Sequence, residues 1–144
     1  MGKSSDVARS LHEIKGFFPS GIDYLICSAG IIIYKPTLQV SETEMDAILA
    51  TNVKGTILYN QGVFGGIEGF RENLIKPGGS IINISSSATA MNPISPLYSL
   101  YVASKGAVEQ FSKAFAQEIG RPPYRVRLNV LSPGTFIILL LFFR

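Results

Sequence analysis

Tyr101 and Lys105, in the run Tyr101-Val102-Ala103-Ser104-Lys105, are the residues whose types and spacing could do chemistry. A helix turns by about 100° per residue, so positions four apart stand nearly above one another. Tyr101 and Lys105 then share a face with Val108, Phe115 and Ile119, and Phe111 lies on its flank. That face is a core-facing stripe headed by a phenol and an ammonium. A lysine there is costly unless its head reaches water or a partner. A cation one turn away favours the ionised phenol, which is how a tyrosine becomes a proton donor or acceptor near neutrality. A boundary tyrosine beside a surface lysine gives the same spacing, so the reading turns on what the rest of the chain brings to this face.

A helix carrying such a pair needs a framework, and 144 residues supply about one domain with a real core. Apolar residues make up 47% of the chain and charged ones only 16%, which excludes a disordered chain. The net charge is +3 and no long basic run occurs. Arg121, Arg125 and Arg127 are read as a solvated turn rather than a nucleic-acid surface. One cysteine, Cys27, excludes an internal disulfide and fits a reducing, cytoplasmic compartment. The single histidine, His12, cannot build a histidine-rich metal site, and no metal is expected. His12 lies in an ordinary amphipathic stretch, which leaves a Ser-His-Asp hydrolase using Ser85 to Ser87 poorly supported. The polar start gives no secretory leader. The apolar run from Phe136 to Phe143 falls far short of the ~20 residues of a membrane span.

Val7, Leu11, Ile14, Phe17 and Phe18 fall at helical spacing, and Ser20-Gly21 stops that helix. Ile22 to Cys27 reads as a short buried strand ending in Ser28-Ala29-Gly30, small residues that let a ligand approach the backbone. Ser41-Glu42-Thr43-Glu44 is a capping box opening a helix whose buried side carries Met45, Ile48, Leu49, Val53 and Ile57. Asn52 falls on that side, either as a packing and turn-tying residue or as a site residue, because a buried amide must find partners. Gly62, Gly65, Gly66 and Gly69 end this helix in the sixties.

Pro77-Gly78-Gly79 is expected as a turn, followed by a buried strand from Ser80 to Ser85 that ends in Ser85-Ser86-Ser87. A loop over 88–100, holding Pro93 and Pro96, delivers the chain to Tyr101. Gly120 and Pro122-Pro123 force the next turn. Val126, Leu128 and Val130 then alternate as a third strand closed by Ser132-Pro133-Gly134. Buried strands alternating with helices mean a parallel α/β sheet, whose ligands bind at the carboxyl ends of the strands. The polar residues singled out above converge on that edge.

In this order the residues resemble the short-chain dehydrogenase/reductase family. Cys27-Ser28-Ala29-Gly30 resembles its Asn-Asn-Ala-Gly stretch, and Asn52-Val53-Lys54-Gly55 the helix of its catalytic asparagine. Gly79 to Ser86 is similar to the strand of its catalytic serine, Tyr101 to Val108 to its active-site helix, and Val126 to Gly134 to its strand ending in Pro-Gly. The resemblance implies an α/β fold, here a partial Rossmann-type doubly wound parallel sheet holding only the central and later strands. A partial NAD(P)-binding domain would occupy 1–134 and an apolar, divergent tail 135–144.

It also implies an oxidoreductase that transfers a hydride between NAD or NADP and a ketone or secondary alcohol. Tyr101 would be the acid or base, Lys105 would assist it and bind the nicotinamide ribose, Ser86 would polarise the carbonyl, and Asn52 would hold a water linked to Lys105. Cofactor contacts would fall on Ser28, Ala29, Gly30, Asn52, Tyr101, Lys105, Pro133 and Gly134. The expected partners are a small carbonyl or alcohol and, by family precedent, further copies in a dimer or tetramer. The spacing from Ser86 to Tyr101 is longer than the family's usual one, which makes Ser87 the rival serine. Cys27-Ser28 stands in place of two asparagines. The family's Gly-rich pyrophosphate turn does not occur in the sequence, and Ile138 stands where a nicotinamide-contacting threonine would be expected. The resemblance is therefore to the middle of a dehydrogenase, truncated at both ends. On that view the first strand is left at an open, apolar edge, and the alternative function is a non-catalytic remnant or oligomerisation module.

Overall fold

The computed structural model describes residues 2–90 and 96–134. The apolar tail, Ile138 and Pro93 lie outside them. Three parallel strands form one sheet in the order β1 (Ile22–Cys27), β2 (Ile75–Ile84), β3 (Arg127–Leu131). Consecutive strands can run parallel because each crossover is long enough to contain a helix.

Helix α1 (Ser4–Phe17) starts a turn before the apolar pattern at Val7, with Asp6 in its first turn where the helix dipole favours a carboxylate. Val7, Ala8 and Leu11 enter the core, while His12 stays on the surface with its Nε2 2.8 Å from the Gly69 carbonyl. Helix α2 (Glu42–Ile48) begins with the capping box: the Glu44 amide donates to Ser41 Oγ and the Ser41 amide to the Glu44 carboxylate. The expected single helix is interrupted at Leu49–Gly55 by a wide, π-type turn before α3 (Thr56–Gly62). The wider turn shifts the buried face. Ile48, Asn52, Thr56 and Asn60 are inside, whereas Met45 and Leu49 are each 39% exposed. Gly65 continues the break at φ +73°, with no room for a Cβ against the Arg71 backbone.

Pro77-Gly78-Gly79 does not precede β2 but lies within it. Ile22 pairs with Ile75 and Tyr24 with Ser80, so β2 takes five steps where β1 takes two. The surplus bulges out through Gly78 at φ +83°. Pro77 is tolerated because it sits in the bulge, outside the paired ladder.

Helix α4 (Ser99–Ile119) carries the stripe read from the sequence and packs chiefly on β3 and the π-type turn. Phe70, Leu74, Ile75, Ile81, Ile119 and Val126 close the core with α1, and Leu25 and Leu128 pack against it. β1 is not the buried strand expected: Tyr24 is 71% and Ile26 60% exposed. Alternation turns Leu25, Ile81 and Leu128 toward the helices and Tyr24 and Ile26 the other way. No helix among the described residues is long and apolar enough to cross a membrane.

Candidate active site

The carboxyl ends of the strands meet the first turns of α4 around a cleft of about 490 Å³. Ser28 and Gly30 reach it from β1, Ser86 and Ser87 from β2, Pro133 and Gly134 from β3, and Tyr101 and Lys105 from α4. The fold thus gathers eight of the residues singled out by sequence. Ala29 and Asn52 are not among those lining it. Ala29 faces a second cavity beside Cys27, Thr51 and Tyr59, and Asn52 is fully buried behind the rim.

Lys105 is 4% exposed, and its Nζ donates to the Ile84 carbonyl at 2.8 Å while standing 5.9 Å from the centroid of the Tyr101 ring. Burial pushes its ammonium below the usual lysine range. The Asn52 amide is spent on the loop after β1. It accepts from the Ile31 amide at 2.8 Å and donates to the Ile31 carbonyl and Ser104 Oγ, each at 2.9 Å. Asn52 is thus a turn-tying residue in this structure. It fixes Gly30, where an added Cβ would lie 3.3 Å from Lys105 Nζ and 3.4 Å from Asn52 Oδ1.

The serine triplet divides its work. Ser85 is buried, and its hydroxyl points to the Lys105 carbonyl at 3.1 Å and to Glu109 Oε1 at 2.8 Å. Ser86 Oγ accepts from the Ala88 amide at 3.2 Å, which occupies an oxygen lone pair and leaves the hydroxyl proton to be donated. Ser87 donates its amide to the Pro133 carbonyl at 2.9 Å and so ties the ends of β2 and β3 together.

Several contributors escaped the sequence reading. Ile31, Ile32, Tyr34 and Tyr98 line the cleft, with Tyr34 and Tyr98 stacked 6.0 Å apart. Behind it, Asn60 and Asn83 exchange amide hydrogen bonds of 2.9 and 3.2 Å, and Asn83 also donates to Ser112 Oγ. Asn83 within the apolar run Ile81 to Ile84 was a signal, since a buried amide implies partners. Glu109 Oε1 gathers the hydroxyls of Ser85, Thr89 and Ser132. Burial alone would push its carboxyl up, but those three hydrogen bonds and the Lys113 charge outweigh it and hold it below the usual range. Its place four residues after Lys105 on the same face was legible, though a lone glutamate there reads first as a surface charge.

Small residues at Ser28 and Gly30 keep the rim of the cleft low, and Lys105, with three donors and one on Ile84, has protons left for the hydroxyls of a ligand.

Comparison with known proteins identifies the family. The model of the short chain dehydrogenase family matches residues 1–137. A short chain dehydrogenase/reductase of Aspergillus aculeatus is 31% identical over 130 residues, which is 90% of this chain and 45% of that protein. A cyclopentanol dehydrogenase of Comamonas is 35% identical over 113 residues, 78% of this chain and 41% of its own. Among solved structures, a dehydrogenase/reductase from Sinorhizobium meliloti superposes with a TM-score of 0.76 at 26% identity, covering 92% of this chain and 48% of that one. The chain spans about half the length of the relatives it matches. Motif order, sheet topology and relatives agree over nearly all of the described residues, and the chain belongs to the short chain dehydrogenase family.

Proposed function

We propose that this chain carries the catalytic centre of an NAD(P)-dependent oxidoreductase acting on a ketone or secondary alcohol. The observation that carries the reading is the convergence of Tyr101, Lys105 and Ser86 on one cleft at the carboxyl edge of the sheet. A bound nicotinamide would supply or accept the hydride. Tyr101 gives its phenolic proton to the carbonyl oxygen as the ketone becomes an alcohol, and takes it back in oxidation. Lys105, held in place by the Ile84 carbonyl, stands 5.9 Å from the centroid of the Tyr101 ring and keeps donors to spare for the bound cofactor. Ser86 donates its free proton to the same carbonyl oxygen, a role that the amide hydrogen bond to its Oγ favours over the rival Ser87. Asn52 keeps Gly30 and Ile31 against the site, so that its contribution is positional. Ser28, Gly30, Pro133 and Gly134 would border the nicotinamide, with Ala29 and Asn52 one layer behind.

The apolar wall of Ile31, Ile32, Tyr34 and Tyr98 favours a carbonyl set in a hydrocarbon ring or chain over a strongly charged substrate. The alicyclic alcohol in the name of the Comamonas relative is of that kind.

Titration of the purified chain with NADPH and with NADH, followed by nicotinamide fluorescence, tests the reading. Saturable binding to one or both is expected. No saturable binding by a chain shown by circular dichroism to be folded would overturn it in favour of a non-catalytic module.

A further inference from the structure

We propose that Glu109 is a positioning residue that fixes the Ser86 hydroxyl by clamping the chain on both sides of it. The catalytic meaning of the clamp rests on the reading of Ser86 given above, whereas the clamp itself does not. Glu109 Oε1 accepts from Ser85 Oγ at 2.8 Å and from Thr89 Oγ1 at 2.6 Å, the residues one before and three after Ser86. A third hydroxyl, from Ser132 at 3.2 Å, brings the end of β3 to the same oxygen. Strand β2, the short turn Ser87–Thr89 and strand β3 are therefore drawn to one atom of α4.

Hydrogen bonds to an ionised carboxylate are about twice as strong as neutral ones. The single protons of Ser85 and Thr89 should accordingly favour Glu109 over their alternative acceptors, the carbonyls of Lys105 and Ser86. Within the clamp, the Thr89 amide donates to the Ser86 carbonyl and the Ala88 amide to Ser86 Oγ. The Ser86 oxygen thus sits inside a closed turn whose two flanks cannot move apart while Glu109 is charged. Glu109 is one helical turn beyond Lys105, whose Nζ holds the Ile84 carbonyl. Successive turns of α4 therefore hold successive residues of the β2 exit, which sets the serine in register with Tyr101.

The test is Glu109→Gln, which keeps the shape and removes the charge, in the full chain. Amide hydrogen exchange at Ser87, Ala88, Thr89 and Ala90 should accelerate roughly ten- to hundredfold, as expected for losing hydrogen bonds to a charged acceptor. The NMR shifts of Ser86 should move with it, while exchange in α1 stays unchanged. With a ketone and NADPH, kcat should fall roughly tenfold with KM within about twofold, because a misplaced Ser86 acts mainly on the transition state. Unchanged exchange and Ser86 shifts would overturn the proposal, and so would loosened exchange beside an unaltered kcat. A wild-type chain without ketone reduction would sink the functional reading alone, since exchange and shifts still decide whether Glu109 places Ser86. Should Glu109→Gln fail to fold, Thr89→Val removes the shortest of the three bonds, and the same local exchange criterion applies to it.

Discussion

The two faces of the sheet are built on opposite terms. On the helix side, Ile81 is fully buried, and Asn83, also fully buried, satisfies its amide with Asn60 and Ser112. On the other side Tyr24, Ile26 and Leu131 are 71%, 60% and 55% exposed. Every buried side-chain polar atom among the described residues has a partner. The candidate chemistry hangs from the covered face: Lys105, Glu109 and Ser112 follow one another along α4, and each holds a residue of β2 or its exit. The lesson is that the cleft borrows its rigidity from one face only. The bare face is the opposite case, because exposed apolar sheet surface and an unpaired edge strand are features that invite partners.

Paired substitutions sharpen this contrast. Ile81→Ala should cost about 2–5 kcal/mol of stability, and Ile26→Ala on the opposite face less than about 0.5 kcal/mol, as read by urea unfolding. Equal losses would mean that the bare face is covered in solution. Next in size, Asn83→Ala should cost about 1–3 kcal/mol, because Asn60 and Ser112 lose a partner inside the core, whereas exposed Asn129→Ala should be nearly silent.

Acid should produce a smaller effect at the surface. Lys35 and Ser41 hold the Glu44 carboxyl at about 2 against an ordinary 4.5. A lowered carboxyl stabilises the fold above its ordinary value and loses that contribution as pH falls through the folded one. The Glu44 contribution should therefore be complete above pH 4.5 and fade toward pH 2, and added salt should shrink it because the pair is only half-buried. Glu44→Gln should flatten that part of the stability profile. The smallest change concerns Cys27, whose thiol is pushed up to about 12 by burial, against a lowering hydrogen bond from Asn60. Alkylation by iodoacetamide at pH 8 should be slow in the folded chain and fast in denaturant. Equal rates would show that β1 opens freely.

Much of this architecture was legible in the sequence because it is local. The Ser41–Glu44 capping box, the Tyr101–Lys105 spacing and the alternation over Val126 to Val130 each depend on neighbours along the chain. What escaped depends on pairing at a distance. The bulge at Pro77 to Gly79 is visible only once Tyr24 has chosen Ser80. Asn52 is inside as the periodicity placed it, but the π-type turn at Leu49–Gly55 moves the rest of the buried side from Met45 and Leu49 to Thr56 and Asn60, which a uniform 3.6-residue period cannot anticipate. The exposure of β1 was legible only through the family resemblance, because Ile22 to Cys27 alone reads as any buried strand. Glu109 was missed since its three hydroxyl partners come from segments that meet only in the folded chain.

The central claim is that α4 presents Tyr101 to the cleft as the proton donor, and its most direct test is Tyr101→Phe. The account predicts that ketone reduction falls by roughly 10²–10⁴ while nicotinamide binding and thermal stability stay near those of the unaltered chain. Reduction persisting at an unchanged rate in Tyr101→Phe would contradict it and take the proton from another group of the cleft.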